Sequence, residues 1–388
     1  MSEQKDSKVI KRIEEAIKCI DNKESNLYFF VSDCKDMPNS SMLYIYNMAY
    51  TLRELGYKVC LLYQVNNEYT KEELKKLKKE NKYIDPYRQF VGVGEWLGDK
   101  YNSIPRLNIS NETWQITPSD FLFIPEAFAS LMKETFDKKV PCKRYVILQN
   151  FKYVTEFIPL GDQWSSYGIY DVIASNEQQV KKIKDVFPYV KTTILKPFVQ
   201  EQIRKPLLAK KLIVNVVGQK ASDVERIVKT FYWKYPSLSF VTFRSLRDLP
   251  ISEYADRLKE GCITVWDDIE TPYGYSAVDA IASGNVVIGR IPDTIPEWMG
   301  DEENIKDNGV WYQNIEQAPD LIARVVTSWI QDELPSELYN EMNKVEIRRY
   351  KDWEKDVKDL FHNISMARKA EFVALKNTIE NKNKIGEK

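Results

Sequence analysis

Apolar residues fall into two alternating patterns along the chain, and together these patterns predict an α/β fold. One repeats at helical spacing, as in residues 8–20 and 43–55. The other is a short apolar run without polar alternation, as expected of strands covered on both faces of a parallel sheet. Such runs predict strands at 27–32, 58–63, 121–124, 145–148, 171–174, 192–195, 212–217, 238–243, 263–265 and 286–288. The simplest arrangement of alternating strands and helices is a doubly wound parallel sheet.

The length of 388 residues exceeds the range in which one core keeps growing, so two domains are expected. A cationic stretch beginning at Lys205 and containing Pro206 is typical of a linker. We therefore divide the chain into an N-terminal domain (1–204), a second domain (205–335) and C-terminal helices with a charged tail (336–388). Within the first domain, residues 64–118 predict a helix and a long excursion. The tail from Met366 to Lys388 is expected to fray, with its last residues disordered.

Composition indicates a soluble enzyme of the cytoplasm. The 56 basic and 57 acidic residues nearly cancel, which gives no general field for nucleic acid. The five cysteines have no metal-type spacing and are expected to be reduced thiols near the cores. No apolar run has the length of a membrane span. Peripheral membrane contact through the basic and aromatic residues 64–118 is an alternative to a solvated surface.

The segment Val265–Arg290 carries the strongest functional signal. It reads as the end of a strand, a loop in which Gly274 lies between two tyrosines, a helix that Ser276 can cap, and a buried strand. A helix that begins there directs free backbone N–H groups and its positive dipole end into the loop. A phosphate fits such a position. The alternative is an ordinary turn between a strand and a helix.

This segment resembles the donor-site motif of GT-B-fold glycosyltransferases, specifically the retaining, nucleotide-sugar-dependent glycosyl transferases group 1 family. Aligned on Gly274, Thr271 stands where that family has its first glutamate, and Asp279 stands at the second. Two later passages are also similar to family motifs. They comprise Asp293, Ile295, Pro296, Glu297, Asn308, Gly309 and Val310, and then Arg349, Tyr350, Trp353, Val357, Leu360 and Phe361.

The resemblance implies the GT-B fold: two Rossmann-like domains face a cleft, and C-terminal helices cross back to the N-terminal domain. It places a nucleoside-diphosphate sugar against the second domain. The expected donor contacts are Gly218, Gln219, Lys220, Arg244, Thr271, Tyr273, Gly274, Tyr275, Ser276 and Asp279. Gln219 and Val224 occupy the positions of the family's two phosphate-binding cations, which leaves Lys220 as a displaced cation. A surface arginine is the alternative for Arg244.

The acceptor side is expected in the N-terminal domain. Asn39 and Ser40 follow the first predicted strand and could offer polar groups to a sugar, with helix capping as the alternative. Gln149 and Asn150 end the predicted strand 145–148 at its carboxyl edge, where ligands bind in open α/β sheets. An amide-rich turn is the alternative there. The acceptor itself, a glycan, a lipid or a protein, is not defined by these residues.

Two carboxylates are the predicted catalytic residues. Asp279 is placed to accept hydrogen bonds from ribose hydroxyls; the alternative is an acid that only stabilises the first turn of its helix. Glu270 could substitute for the missing charge at Thr271; the alternative is a solvated acidic turn. The only histidine, His362, lies near the C-terminus. A retaining transfer needs no strong base, because the leaving phosphate can take the proton. The expected activity is therefore hexosyl transfer with retention in glycan biosynthesis, without metal or cofactor. A degenerate nucleotide-sugar or glycan binding protein is the alternative.

Overall fold

The structure is a computed structural model that describes residues 2–32, 40–64, 71–80, 82, 97–110, 114–204 and 209–386. Side chains are described within these ranges except at 2–5, 71–74 and 383–386. Of the residues singled out above, Asn39 lies outside the described part of the chain, as do Cys34 and residues 205–208 of the predicted linker.

Strands and helices alternate through most of the first domain, which begins with helix α1. The elements of this domain are α1 Ser2–Asp21, β1 Asn26–Phe30, α2 Ser40–Glu54, β2 Lys58–Tyr63, α3 Lys71–Lys79, β3 Arg106–Asn108, β4 Phe121–Pro125, α4 Ala129–Asp137, β5 Lys143–Leu148, α5 Phe151–Phe157, β6 Asp171–Ala174, α6 Glu177–Val186 and β7 Lys191–Ile194. The seven strands form one sheet in the order β3-β2-β1-β4-β5-β6-β7. Every pair is parallel, so the predicted doubly wound sheet is confirmed.

The second domain repeats this plan with a smaller sheet. Its elements are β8 Lys211–Gly218, α7 Ala221–Lys234, β9 Thr242–Ser245, α8 Ile251–Glu260, β10 Gly261–Asp267, α9 Tyr275–Ala282, β11 Val286–Arg290, β12 Val310–Tyr312, α10 Ala318–Ile330 and α11 Ser336–Asn343. The five parallel strands lie in the order β12-β11-β10-β8-β9. Strand order therefore reverses between β8 and β10, as it does between β1 and β4 in the first domain.

Packing on both faces explains why the strand sequences lack polar alternation. Successive side chains of a strand point to opposite faces of the sheet. In β1, Leu27 and Phe29 enter one core, and Tyr28 and Phe30 enter another. Both cores lie in the first domain, one on each face of its sheet, and a third core fills the second domain. An uninterrupted apolar run is the sequence that satisfies two such faces.

The last helix, α12 (Tyr350–Gly386), returns to the first domain. Its residues Trp353, Val357 and Phe361 are fully buried in the same core as Phe29. By contrast α11 packs on the second domain through Leu338 and Met342. The chain therefore crosses between domains after α11, within the predicted C-terminal unit rather than at its start.

The prediction that the tail frays from Met366 onward was wrong as far as Gly386, the last residue that the structure describes. Helix α12 continues to Gly386, and its second half packs along α1. Phe372 is buried against Ile13 and Ile20, and Lys369 pairs with Asp21 at 2.7 Å. The apolar positions within this charged sequence are spaced so that one face of the helix is covered by α1.

Two strands, β3 and β12, were not predicted. The strand predicted at 238–243 lies further along the chain, as β9. The apolar stretch 238–243 predicted a strand, but Pro236–Leu238 forms a single 3-10 turn and the Phe240 side chain is 61% exposed. The strand begins only at Thr242. Within 64–118 the described elements are α3, β3 and the 3-10 turn Asp99–Ser103. Cys142 and Cys262 are buried, in agreement with the expectation for the thiols.

Anchoring of α12 in the first domain should dominate the stability of that domain. We expect Phe361→Ala to destabilise the protein by about 3–5 kcal/mol, because it removes a fully buried ring that packs on Phe123. The matched control is Phe240→Ala, since the Phe240 side chain is mostly exposed. Urea unfolding followed by circular dichroism measures both. Equal midpoints for the two variants would contradict the assignment of α12 to this core.

Candidate functional site

The carboxyl ends of the two sheets meet at a cleft between the domains. Residues that follow β4 and β5 in the first domain line the same cavity as residues that follow β8 and β10 in the second. In open parallel sheets ligands bind at the carboxyl edge where strand order reverses. Both reversal points, β1 with β4 and β8 with β10, border this cleft, so it is the candidate site.

The predicted sequence of strand, loop, helix and strand over residues 265–290 is present as β10, a loop, α9 and β11. Gly274, rather than Ser276, caps α9, and its backbone is left-handed with φ 72°. A Cβ atom there would lie 3.1 Å from the indole rings of both Trp266 and Trp298. Two constraints therefore favour glycine at this position: the left-handed backbone angle and the lack of room for a Cβ atom between the two indole rings. Ser276 consequently lies inside the first turn of the helix.

Residues downstream of α9 hold this turn in place. The Trp298 indole donates to the Tyr273 carbonyl at 2.6 Å, and the Asn308 amide donates to the Trp298 carbonyl at 2.6 Å. The Tyr273 and Tyr275 rings lie 4.9 Å apart on either side of Gly274. The passage from Glu297 to Gly309 thus supports the loop that precedes α9.

Asp279 lies one turn into α9 and lines a cavity of about 330 Å³. The Tyr254 hydroxyl of α8 donates to its carboxylate at 3.2 Å. Burial raises the pKa of Asp279 from 3.8 to about 7, and the Tyr254 hydrogen bond only partly opposes this. Tyr275 and Ser276 line the same cavity, which places the N-terminus of α9 and Asp279 against one ligand volume.

We call this 330 Å³ volume the donor cavity. The loop after β8 completes its lining. Gly218 and Gln219 line it. A side chain at Gly218 would meet Val224 at 2.8 Å, so this position admits only glycine without movement. Val224 packs on the core of the second domain. Lys220 is exposed beside this loop, and its charge helps to lower the pKa of Glu270.

Glu270 joins the two domains. Its carboxylate accepts from Lys152 of the first domain at 2.7 Å and from Gln219 at 2.6 Å. These two donors, Lys152 first, hold the pKa of Glu270 below its usual value. The Glu270 carbonyl also accepts from the Asn150 amide at 3.1 Å. Thr271 donates to Asp268 and so stabilises the loop conformation.

Arg244 does not line the donor cavity, and neither do the predicted donor residues Lys220, Thr271 and Tyr273. Its guanidinium is held by Glu260, by Asn215 at 3.3 Å and by the Arg257 carbonyl at 2.7 Å. Among the described residues lining the donor cavity, Arg247 is the one cationic side chain. The strand that was predicted to end at residue 243 ends at Ser245, so the loop that reaches the ligand volume starts later. Recognition of Pro236 as a turn residue would have indicated this shift.

The acceptor-side residues lie across the cleft on a second cavity of about 490 Å³, which we call the acceptor cavity. Ser40, Gln149 and Asn150 all line it. The Asn150 side chain also caps α5, because it accepts from the Lys152 backbone N–H at 3.0 Å. Ser40, Gln219, Asp268 and Tyr275 line both cavities, so the two cavities adjoin each other.

Sequence reasoning missed Glu126, which directly follows β4 and lines the acceptor cavity. Its carboxylate accepts from the backbone N–H groups of Gln149 at 3.1 Å and Asn150 at 2.7 Å. Burial nevertheless raises the pKa of Glu126 from 4.5 to about 7. An acidic residue at the carboxyl end of the apolar run 121–124, separated from it only by Pro125, was the signal that could have identified it.

The structure as a whole is similar to solved glycosyltransferases. One is the sucrose-phosphate synthase of Thermosynechococcus elongatus, with a TM-score of 0.58, 11% identity, and coverage of 88% of this chain and 100% of that chain. The pneumococcal O-GlcNAc transferase GtfA, in complex with UDP and GlcNAc, has a TM-score of 0.57, 9% identity, and coverage of 88% and 99%. Anabaena HepE, in complex with UDP, has a TM-score of 0.53, 9% identity, and coverage of 87% and 100%.

At these identities the similarity shows the fold alone, and the predicted GT-B fold is confirmed. No family model and no curated protein matches the sequence. No helix in the described ranges is both long and apolar enough to cross a membrane.

The raised pKa of the partly buried Asp279 carboxyl should make stability depend on pH. The pKa of Asp279 is about 7 in the folded chain and takes its ordinary value of 3.8 in the unfolded chain. The folded state therefore binds the carboxyl proton more tightly. Stability should therefore fall as pH rises from about 4 to about 7. We expect Asp279→Asn to stabilise the protein by roughly 1–3 kcal/mol at about pH 8 and by little at about pH 5.

Urea unfolding at both pH values measures this effect. The matched control is Asp256→Asn, because the Asp256 side chain is 78% exposed on α8 and should change stability equally little at either pH. A stabilisation by Asp279→Asn that is the same at both pH values would contradict the shifted pKa.

Proposed function

We propose that the chain transfers a sugar from a nucleoside-diphosphate donor to an acceptor bound in the first domain. The observation that carries this proposal is the donor cavity, which places the N-terminus of α9 and the Asp279 carboxyl at the reversal point between β8 and β10. Structural neighbours that bind UDP or transfer sugars support it. The steps below follow from the residues lining the two cavities.

The donor lies along the cavity in three parts. Leu246, Leu249 and Ile251 offer apolar surface to the nucleobase. Arg247, next to Leu246, offers a cation to the diphosphate. Asp279 accepts from the ribose hydroxyls. The diphosphate lies against the backbone N–H groups of Tyr275 and Ser276, which have no helical partner because they belong to the first turn of α9. The anomeric carbon is then near Tyr275 and Gln219, where the donor cavity adjoins the acceptor cavity.

Stabilisation of the leaving diphosphate is the main chemical task of this site. A helix N-terminus contributes about 0.3–1 kcal/mol at an exposed site and up to ~2 kcal/mol when partly buried. A charge-assisted hydrogen bond from Arg247 or Lys220 would add roughly 1.5–3 kcal/mol. Glu270 is fixed as a carboxylate near the transferring sugar by Lys152 and Gln219. We propose retention of configuration, with the leaving phosphate accepting the proton of the acceptor hydroxyl.

A second candidate function is binding of a nucleotide sugar without turnover. It is favoured by the low number of cations: Arg247 is the one cationic side chain among the described residues of the donor cavity, and Val224 is packed on the core. Hydrolysis or transfer of a nucleotide sugar above a heat-inactivated control, lost in Asp279→Ala while folding is preserved, would eliminate this candidate. Binding without either reaction would favour it. The anomeric configuration of any product, read by NMR, tests retention.

Asp279 should determine donor affinity. We expect Asp279→Ala to weaken binding of the preferred nucleoside diphosphate by about tenfold, because the ribose hydroxyls lose their acceptor. Isothermal titration with UDP, GDP and ADP measures this, and Asp256→Ala on the neighbouring helix is the control. Absence of binding by all three diphosphates to the parent chain would contradict the proposed function.

Arg247 should contribute through charge. We expect Arg247→Ala to weaken nucleoside diphosphate binding by about 10- to 100-fold and to reduce its salt dependence. The control is Arg324→Ala, since Arg324 is an exposed arginine on α10 away from the cleft. Equal affinities for the two variants would show that the diphosphate does not reach Arg247.

A further inference from the structure

Two polar side chains around the acceptor cavity have a buried atom without a hydrogen bond. The Gln149 Oε1 and Tyr275 hydroxyl oxygens have no partner among the described residues. Glu126, which is buried beside them, accepts on Oε1 from two backbone N–H groups. All three side chains line the same cavity. Buried polar groups in native proteins are paired as a rule, so two unpaired atoms around one cavity indicate a ligand that pairs them.

The rest of each side chain is fixed, so these atoms are held in position. The backbone N–H groups of Gln149 and Asn150 orient the Glu126 carboxylate. The Gln149 Nε2 donates to the Ser41 carbonyl at 3.0 Å, which directs its oxygen away from that contact. Tyr275 is the first residue of α9 and is set by the Gly274 turn. The ligand therefore meets two acceptors, Glu126 and Gln149, and one hydroxyl, Tyr275, in a fixed arrangement.

Charge and shape narrow the chemistry of this ligand. None of the described residues that line the acceptor cavity is lysine or arginine, whereas Glu126, Asp268 and Glu270 are acids. A phosphate or carboxylate on the acceptor would have no partner cation there and would meet these acids. An aliphatic chain would leave both unpaired atoms without a partner. The lining also has an aromatic part, with Tyr153 and Phe157 of α5 adjacent to each other and their ring centroids 6.0 Å apart.

We propose that the acceptor is a neutral carbohydrate whose hydroxyls are bound by Glu126, Gln149 and Tyr275, and whose ring face lies on Tyr153 and Phe157. A hydroxyl can donate to the two acceptors and accept from the tyrosine, and a sugar ring presents several hydroxyls beside an apolar face. The assignment of this sugar as acceptor rests on the proposed function. These residues are positioning and specificity residues for the acceptor, whereas the donor is bound in the adjoining cavity.

Two substitutions test this arrangement. In Glu126→Gln the amide oxygen can still accept from the backbone of Gln149 and Asn150, while a donor NH₂ replaces the other carboxylate oxygen. In Tyr275→Phe the unpaired hydroxyl is removed and the ring is kept. We expect each to weaken glycan binding by about tenfold. Tyr275→Phe should also raise the melting temperature without ligand, because a buried unpaired hydroxyl is removed.

The control variant is Glu156→Gln, which makes the same charge change at an exposed position of α5. The full chain and all variants are tested on an array of neutral, sialylated and sulfated oligosaccharides. Saturation-transfer NMR follows with methyl glycosides of glucose, galactose, mannose and N-acetylglucosamine. Isothermal titration with UDP, GDP and ADP provides the reference affinity of the donor cavity. In a transfer assay, Glu126→Gln should raise the KM for the acceptor more than it lowers kcat.

Binding of neutral glycans that is lost in Glu126→Gln and Tyr275→Phe and kept in Glu156→Gln supports the proposal. A preference for acidic glycans, or no glycan binding by the parent chain, overturns it. So does an equal loss of glycan and nucleoside diphosphate affinity in Glu126→Gln, which would indicate general disruption of the cleft. If the variants weaken nucleotide-sugar binding alone, the hydroxyls belong to the donor sugar and the acceptor assignment is overturned.

These outcomes separate this proposal from the proposed function. Nucleoside diphosphate binding without glycan binding leaves the donor site standing and refutes the carbohydrate acceptor. Glycan binding that depends on Glu126, without binding of any diphosphate, refutes sugar transfer and leaves a carbohydrate site in the first domain.

Discussion

The left-handed backbone of Gly274, packed between the indole rings of Trp266 and Trp298, determines where α9 begins. That start point sets the position of the free N–H groups, of the Tyr275 hydroxyl and of Asp279. Because both indoles already contact the glycine, no side chain fits there without displacing one of them. The Asn308 and Trp298 hydrogen bonds explain why residues far downstream matter to this turn. The geometry of both cavities therefore depends on one close backbone contact.

The two domains are linked by polar contacts at the cleft and by the chain that crosses from α11 to α12. Glu270 accepts from Lys152, and Glu297 accepts from Lys196 at 2.8 Å, so two carboxylates of the second domain bind cations of the first. Partly exposed ion pairs of this kind contribute little individually. The burial of α12 fixes the segment after the crossing in the first domain much more strongly.

The electrostatics of the cleft are unusual for a protein expected to bind a diphosphate. Asp279 is partly buried and Glu126 is buried; both have raised pKa values, and each faces a cavity that has few or no cations among its described residues. A desolvated carboxyl with an elevated pKa is suited to exchange hydrogen bonds with hydroxyl groups. Under the proposed function, these carboxyls would bind hydroxyl groups, and backbone N–H groups would carry most of the anion recognition.

The sequence by itself determined the local elements. Uninterrupted apolar runs located most strands, and the passage 265–290 located β10, α9 and β11 together with Glu270 and Asp279, because burial on two faces and helix starts leave short-range patterns. Only the tertiary structure decided that Arg247 rather than Arg244 reaches the donor cavity and that Glu126 faces the acceptor cavity. It also decided that the charged tail packs on α1. These features depend on contacts between segments far apart in sequence, such as Asn150 with Glu270, and such contacts leave no periodic pattern along the chain.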